Sequence, residues 1–259
     1  MRLLYFALEF ALIAAGQTRT VVAIAHRGEH LHHPENTIPA FQEAMRVGAD
    51  FFEVDLRTTA DGKLILSHDE SVNRCTSGQG KVSELTYSQV RALDAGIKMG
   101  PAFAGTRMPS FDEALDLARA GKSGIYVDVK SASAAELVSH IDAHGMTERV
   151  VIYCGMKLAR EVVAISPKLK VMPEAGSLER ARTIVSELRL KVMAFDAGDF
   201  VPEVIEVAKR AGVQIYVDRL GVADTPEVWQ AAIDAGADGI QTDKPGQLVE
   251  FLRARGYRR

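Results

Sequence analysis

The sequence is poor in the features that mark several classes of protein. Its two cysteines, Cys75 and Cys154, show neither CxxC spacing nor the spacing of a metal knuckle. We interpret them as unpaired thiols, although a bridge between them stays open if the protein leaves the cytoplasm. Lys and Arg number 31 against 34 Asp and Glu, so no basic excess indicates a nucleic-acid partner.

The N-terminal segment carries the one ambiguous targeting signal. Arg2 precedes an apolar run at 3–16 that ends in Ala14-Ala15-Gly16, similar to a small-residue cleavage site. Glu9 interrupts this run, which is also shorter than the roughly 20 residues that a membrane-spanning helix needs. Residues 1–20 are therefore predicted to be a signal peptide or an extra helix on the fold, with export slightly favoured over a cytoplasmic location.

The chain of 259 residues, 47% hydrophobic and 25% charged, suits one soluble domain. Beyond residue 20, short β-branched runs alternate with amphipathic stretches, which is typical of parallel strands joined by helices. Eight strands are predicted: 21–25, 51–56, 125–129, 150–153, 169–172, 192–195, 213–217 and 239–241. Helices are predicted between them at 38–47, 111–120, 134–144, 178–188, 202–211, 226–235 and 246–255. This order predicts a TIM (β/α)8 barrel over residues 21–259.

One connection is much longer than the others. About fifty residues, Arg57 to Pro109, separate the second strand from its helix and are rich in Gly, Ser, Thr and Asp. A connection of that length in a compact domain is usually functional. We expect a small hairpin and a short helix that cap the C-terminal mouth of the barrel.

Acidic residues on two of the strands predict a metal site. Glu53 and Asp55 are two positions apart, so their side chains point to the same face of the strand, and the apolar residues around them must then meet the helices. Asp128 on the next strand can add a third carboxylate. An all-oxygen set suits Mg²⁺ or Ca²⁺ better than zinc. The alternative interpretation is a group of structural acids in salt bridges.

Two histidines and two basic residues follow strand ends and suit work on a phosphodiester. His26 and His68 come from different strand ends and can face each other across a substrate as general acid and base. Arg27 offers a planar donor fork for a phosphate oxygen, and Lys130 offers a point charge for another. Three more histidines are interpreted as loop residues without a role: His30, His32 and His33.

At these residues the sequence strongly resembles the glycerophosphodiester phosphodiesterase family, a group of PI-PLC-like phosphodiesterase barrels. The resemblance runs from about residue 22 to 255. It rests on HRG, PENT, LDAG, AFQEAMRVGADFFEVDLRTTADGKLILSHDESVNRCTSGQGKVSELT and the closing GADGIQTDKPGQLVEFL. It implies a barrel with an insertion after strand two and supports the roles given above to the histidines, Arg27, Glu53 and Asp55. It also implies that Glu35 lines the site.

The chain departs from the family pattern at two places. Relatives commonly carry a glutamate in an ExK pattern on strand three, whereas this chain has Asp128-Val129-Lys130, one methylene shorter at the ligand position. Strand seven of relatives often reads W-T-x-N, where this chain has Ile215-Tyr216-Val217-Asp218. Tyr216 is expected to keep an aromatic wall for the substrate. Glu174, after strand five, is a further expected site residue without a firm motif.

The expected function is metal-dependent hydrolysis of small glycerophosphodiesters to glycerol 3-phosphate and an alcohol. The expected cofactor is one divalent ion, Mg²⁺ or Ca²⁺. Neither a nucleic-acid partner nor a membrane span is expected, and the sequence leaves the oligomeric state open. Three alternatives remain: a phosphodiesterase for an intact lipid headgroup, a metal-dependent barrel lyase, and an inactive sugar-phosphate binding protein.

Overall fold

A computed structural model describes residues 19–258, so the predicted N-terminal signal or helix lies outside the described residues. Eight parallel strands form the barrel: β1 Val22–Ala25, β2 Phe51–Thr58, β4 Gly124–Val129, β5 Val150–Tyr153, β6 Lys170–Met172, β7 Val192–Phe195, β8 Gln214–Arg219 and β9 Gly239–Thr242. They pair in the order β6-β5-β4-β2-β1-β9-β8-β7. A single parallel bridge, Glu174 to Ala194, joins β6 to β7, so the barrel is nearly closed and the predicted fold is confirmed.

Eight helices within residues 19–258 cover the outside of the barrel: α1 Ile38–Arg46, α3 Phe111–Gly121, α4 Ala134–Ala143, α5 Met156–Ile165, α6 Leu178–Glu187, α7 Pro202–Arg210, α8 Pro226–Ala235 and α9 Pro245–Ala254; α2 Tyr87–Arg91 belongs to the connection after β2. Helix α5 is the barrel helix missing from the sequence prediction. Its N-cap is Gly155, which has no side chain to cap the helix and gives no start signal in the sequence. None of the helices within residues 19–258 is long and apolar enough to cross a bilayer. Cys75 and Cys154 are both free thiols.

Side chains along β2 point alternately towards the apolar core and into the barrel, where the site lies. Phe52, Val54 and Leu56 are fully buried in the apolar layer between the strands and the helices. Glu53 and Asp55 therefore project into the barrel, because successive strand residues point to opposite faces. Asp55 pairs in register with Asp128 of β4. The predicted orientation of the two acids is confirmed.

The long connection after β2 folds as a hairpin and a short helix, as the sequence predicts. Strand β3, Leu64–Leu66, runs antiparallel to the end of β2, and the short helix is α2. The connection has a small apolar core of its own: Ile65, Val72, Val82, Val90, Ala95 and Met108. The Arg57 side chain donates to the His68 carbonyl at 2.8 Å. This contact ties the loop that carries His68 to the end of β2.

Packing between β2 and α1 generates a stability prediction. Phe52 is fully buried and its ring stacks on Phe41 of α1 with centroids 4.5 Å apart. Phe52→Ala should lower the free energy of unfolding by about 3–5 kcal/mol, because it removes the burial and leaves a cavity. Val222 is fully exposed, so Val222→Ala should stay within about 0.5 kcal/mol of wild type. Urea unfolding measures both, and equal losses would contradict this account of the core.

Candidate active site

Three carboxylates meet inside the C-terminal mouth of the barrel. Glu53, Asp55 and Asp128 each offer an oxygen, and these oxygens all lie within 4.8 Å of one another. Glu53 and Asp55 are each only 1% exposed. Burial, and then the negative charges of Asp55 and Asp128, raise the pKa of Glu53 well above its usual range. Such a cluster favours a cation among its members, because like charges in a buried space repel.

The groups around the cluster neutralise only part of its charge. The Lys130 ammonium lies 2.7 Å from Asp128 Oδ2 and 3.2 Å from Asp55 Oδ1. The Asn36 amide donates to Asp55 Oδ2 at 2.7 Å and accepts from the Asp55 backbone N–H at 3.0 Å, which fixes this carboxylate. The Lys130 ammonium and the Arg27 guanidinium, whose Nε lies 3.6 Å from Asp55 Oδ2, face three carboxylates, and every donor atom in the set is oxygen. The residues therefore fit a hard divalent cation such as Mg²⁺ or Ca²⁺.

His26 is oriented by a carboxylate from the last strand of the barrel. Its Nδ1 lies 2.8 Å from Asp243 Oδ1. Burial raises the pKa of Asp243, but hydrogen bonds from His26 and the Gly221 amide bring it down to about 2, so this carboxylate stays ionised. An ionised Asp243 accepts the Nδ1 proton and leaves His26 Nε2 as the free nitrogen. His30 packs edge-on against His26, with ring centroids 5.3 Å apart.

His68 is oriented in the same manner by its neighbour in the chain. Its Nδ1 lies 2.8 Å from Asp69 Oδ1, and Asp69 is bound in turn by Arg74. Burial raises the pKa of Asp128 despite the Lys130 ammonium. The backbone N–H of Ser67 donates to the Asp55 carbonyl at 2.8 Å, so His68 directly follows a residue that is bound to the strand carrying Glu53 and Asp55.

Arg27 carries two signs of a functional constraint. Its φ is +52°, a left-handed conformation that is uncommon for a residue with a side chain. Its guanidinium lies 3.2 Å from Glu35 at Nη1 and 3.6 Å from Asp55 at Nε. Within residues 19–258 this Nε is a buried donor with no hydrogen-bond partner. Buried polar groups are nearly always paired, so a free donor here suits a ligand that accepts.

A cavity of about 140 Å³ opens beside the cluster, with His26 on its wall. Seven acids and tyrosines from five strands or strand ends form a large part of the remaining wall: Tyr126, Asp128, Tyr153, Glu174, Asp196, Tyr216 and Asp218. Tyr153 donates a short hydrogen bond to Glu174. Burial, and then the charge of Asp196, raise the pKa of Asp218 to about 6. Tyr216 is 6% exposed, and its ring meets Phe51 inside the barrel.

The structure thus brings the predicted site residues to one end of the barrel. Tyr216 and Glu174 lie on the cavity wall, whereas Lys130 contacts the carboxylates of Asp55 and Asp128. His32 and His33 both bind Glu29 through Nδ1. His30 lies nearer to the site than the sequence suggests, since its Nε2 is 3.6 Å from Asp243.

Sequence reasoning missed four side chains that hold the site together: Asn36, Asp69, Arg74 and Asp243. Asp69 lies three residues after the end of β3, in the sequence SHD, and Asp243 directly follows β9, in the sequence QTD. Acids at the C-terminal ends of barrel strands are a usable signal for catalytic support. Arg74 gives no such signal, because its role depends on two carboxylates from separate loops.

A parallel barrel with histidines and buried acids gathered at its C-terminal mouth has the architecture of TIM-barrel enzymes, whose active sites lie at that end. A model of the glycerophosphoryl diester phosphodiesterase family matches residues 26–179. A glycerophosphodiester phosphodiesterase of Caldanaerobacter subterraneus subsp. tengcongensis is 34% identical over 248 residues, covering 91% of this chain and 99% of the relative. The chain belongs to the glycerophosphoryl diester phosphodiesterase family and is a phosphoric diester hydrolase.

Solved structures agree with this assignment. A glycerophosphodiester phosphodiesterase from Agrobacterium tumefaciens superposes with a TM-score of 0.80 at 26% identity, covering 89% of this chain and all of the other. A phosphodiesterase from Oleispira antarctica, whose structure contains the product sn-glycerol-3-phosphate, gives a TM-score of 0.82 at 19% identity. It covers 90% of this chain and 97% of the other, and at that identity the likeness shows the fold alone.

The pair of His26 and Asp243 generates a prediction on pH dependence. Burial lowers the pKa of His26, and the hydrogen bond with Asp243 opposes that shift. Asp243→Asn removes the opposing charge, so the pKa of His26 should fall further. The limb of the pH–rate profile that His26 controls should move to lower pH, and the maximal rate should drop at least about tenfold as its orientation weakens.

The matched control for this prediction is Asp234→Asn. Asp234 is an exposed acid that, within residues 19–258, accepts from the Gln230 amide alone, so its loss should leave the profile unchanged. Initial rates measured from pH 5 to 9 test both variants. An unshifted profile for Asp243→Asn would remove Asp243 from the support of His26.

Proposed function

We propose that this enzyme hydrolyses glycerophosphodiesters to glycerol 3-phosphate and an alcohol, with one divalent metal ion and acid–base catalysis by His26 and His68. The observation that carries the proposal is the pairing of each histidine with its own carboxylate. Nδ1 of each ring lies 2.8 Å from Asp243 or Asp69, which leaves Nε2 of each for the substrate. The relatives from Caldanaerobacter subterraneus and Agrobacterium tumefaciens, both named glycerophosphodiester phosphodiesterases, supply the substrate class.

Basic groups at the mouth suit the phosphate of such a substrate. Arg27 has an unpaired Nε donor and is held by Glu35, so its planar fork can bind a phosphate oxygen. Lys130 shares its ammonium between two carboxylates. We assign it to a second phosphate oxygen once a divalent ion neutralises those carboxylates.

Glu53, Asp55 and Asp128 would hold the metal ion. A divalent ion bound there supplies Lewis-acid stabilisation of charge on the phosphate and lowers the pKa of a coordinated hydroxyl. The shorter side chain of Asp128, compared with the glutamate of relatives, favours an ion that tolerates longer and less regular bonds. Ca²⁺ accepts about 2.3–2.6 Å, whereas Mg²⁺ needs about 2.0–2.1 Å in near-octahedral geometry.

The two histidines would divide the proton transfers between them. One takes the proton of the glycerol hydroxyl as this oxygen attacks phosphorus, and the other protonates the departing alkoxide. The attack forms a cyclic phosphate. Water then opens the ring to glycerol 3-phosphate while the histidines exchange roles. Direct attack of water on the diester is the simpler variant of the same scheme.

The cavity beside the cluster would receive the organic part of the substrate. Glu174 is positioned on its wall by the Tyr153 hydroxyl, and a carboxylate there can accept hydrogen bonds from substrate hydroxyls. Tyr216 contributes its ring to the base of the cavity. We assign both to substrate binding rather than to proton transfer, because the oriented histidines already supply the acid and the base.

Metal dependence is tested by chelation followed by readdition. Wild-type enzyme stripped of divalent ions should lose hydrolysis of glycerophosphocholine by more than about a hundredfold, since metal catalysis is worth several kcal/mol. Mg²⁺ or Ca²⁺ should restore it. Glu53→Gln and Asp55→Asn should keep the circular dichroism spectrum but resist restoration. Full activity in the stripped wild-type enzyme would refute the metal assignment.

Two substitutions of Asp128 test its part in metal binding. Asp128→Asn should raise the metal concentration needed for half-maximal activity, because it removes one charged ligand. Asp128→Glu should be tolerated, since relatives carry that side chain. An unchanged metal titration for Asp128→Asn would leave the site with two acidic ligands.

The histidine assignment is tested by truncation. His26→Ala and His68→Ala should each lower kcat by more than about a hundredfold, the lower range for loss of general acid or base catalysis. His32→Ala is the control, because that side chain is 79% exposed and binds only Glu29. Steady-state kinetics on glycerophosphocholine measure all three. Wild-type turnover in either of the first two variants would exclude that histidine from the mechanism.

A further inference from the structure

Arg74 lies at the centre of an ion-pair network that joins two loops of the mouth. Its guanidinium binds Glu35 through two bonds, Nη1 to Oε2 at 2.6 Å and Nη2 to Oε1 at 2.8 Å. It also binds Asp69 through two bonds, Nε to Oδ2 at 2.7 Å and Nη2 to Oδ1 at 3.0 Å. One side chain thus connects the loop after β1 with the loop after β3.

Arg74 restrains Asp69, the carboxylate that binds His68. The hydrogen bonds from Arg74 lower the pKa of Asp69 well below its usual range, so this carboxylate stays an acceptor. The same oxygen, Oδ1, lies 2.8 Å from His68 Nδ1 and 3.0 Å from Arg74 Nη2. Asp69 cannot turn away from His68 without breaking its bonds to Arg74. The guanidinium therefore fixes the ring orientation of His68 through Asp69.

Arg74 also binds Glu35, and this limits how many bonds Glu35 can make to Arg27. Glu35 Oε1 accepts from Arg74 at 2.8 Å and from Arg27 at 3.2 Å, so the shorter contacts of this carboxylate go to Arg74. Without Arg74, both oxygens of Glu35 would be open to the Arg27 fork. A bidentate pair of that kind would hold the donors that a phosphate needs. With Arg74 in place, Arg27 contacts Glu35 through one nitrogen, Nη1.

We propose that Arg74 is a positioning residue that sets His68 and Arg27 at once, through Asp69 and Glu35. The proposal rests on the function proposed above for those two residues. The Arg74 side chain is 47% exposed, so water and salt screen its ion pairs and its loss should cost less in stability than in turnover. Its main expected effect is therefore on turnover.

The geometry requires a guanidinium at this position. Four bonds to two carboxylates come from three nitrogens of one plane. A lysine ammonium keeps the charge but is a point donor that cannot reproduce that fork. Substitution of Arg74 by lysine therefore separates the effect of the positive charge from the effect of the planar guanidinium.

The test compares Arg74→Ala and Arg74→Lys with Arg91→Ala. Arg91 is in the same connection and makes a two-bond ion pair with Glu113, at 2.7 and 2.9 Å, with no contact to the site. Arg74→Ala should lower kcat roughly ten- to a hundredfold, less than direct loss of an acid or base costs, with KM changed less than about threefold. Arg74→Lys should fall between Arg74→Ala and wild type, and Arg91→Ala should keep wild-type kinetics.

Recovery of kcat by added guanidinium ion distinguishes a positioning role of Arg74 from a role in stability alone. The exposed position of Arg74 leaves a space that millimolar guanidinium can enter in Arg74→Ala, so kcat should recover several-fold there and not in Arg91→Ala. Absence of rescue, or equal kinetics of the alanine variants at 74 and 91, overturns the proposal. If Arg74→Ala does not fold, Arg74→Lys decides: wild-type kcat overturns the proposal and a reduced kcat at an unchanged melting temperature supports it.

The two proposals fail in different ways. A wild-type enzyme that hydrolyses no glycerophosphodiester with Mg²⁺ or Ca²⁺ refutes the proposed function. An active wild-type enzyme whose Arg74 variants keep their kcat refutes only the role of Arg74.

Discussion

Repulsion among three buried carboxylates is the constraint on which the mouth of this barrel depends. Glu53, Asp55 and Asp128 are held within 4.8 Å of one another with almost no access to water for the first two. Such an arrangement is costly unless positive charge or hydrogen-bond donors surround it. The surroundings supply Lys130, the Arg27 amide and the Asn36 side chain. The fold thus stabilises, from the loops after β1 and β4, a cluster of oxygen ligands that is compatible with a divalent cation.

The backbone near the cluster is shaped by the same requirement. Arg27 and Asn36 both adopt positive φ, +52° and +55°, and each places a donor on a carboxylate of the cluster. Backbone strain of this kind persists only where the surrounding structure fixes it. Gly28, at φ +80°, lets the chain pass so close to α1 that a Cβ there would lie 2.8 Å from the Ala40 backbone. The tight turn after β1 is therefore a part of the site and not a neutral connection.

The parts of the site that follow from strand periodicity could be predicted, and those that depend on closure of the barrel could not. Alternation along β2 placed Glu53 and Asp55 on one face, and the next strand offered Asp128. Asp243 is 217 positions from His26, and no local pattern connects them. Arg74 joins two loops through side chains alone, so its role depends on rotamers that a sequence pattern does not encode. Helix α5 escaped prediction for a local reason, the glycine at its N-cap.

Closure of the barrel has a consequence for the timing of activity during synthesis. His26 is on the first strand, and the carboxylate that orients it follows the last strand; the two strands pair along their length from Val22–Gly239 to Ala25–Thr242. A ribosome delivers Glu53, Asp55, Asp128 and both histidines long before it delivers β9. The nascent chain therefore carries His26 without its Asp243 partner until the final strand docks. The hydrogen bond between these two side chains forms only when the ring of strands has closed, so the order of the elements along the chain delays completion of this part of the mouth to the end of synthesis.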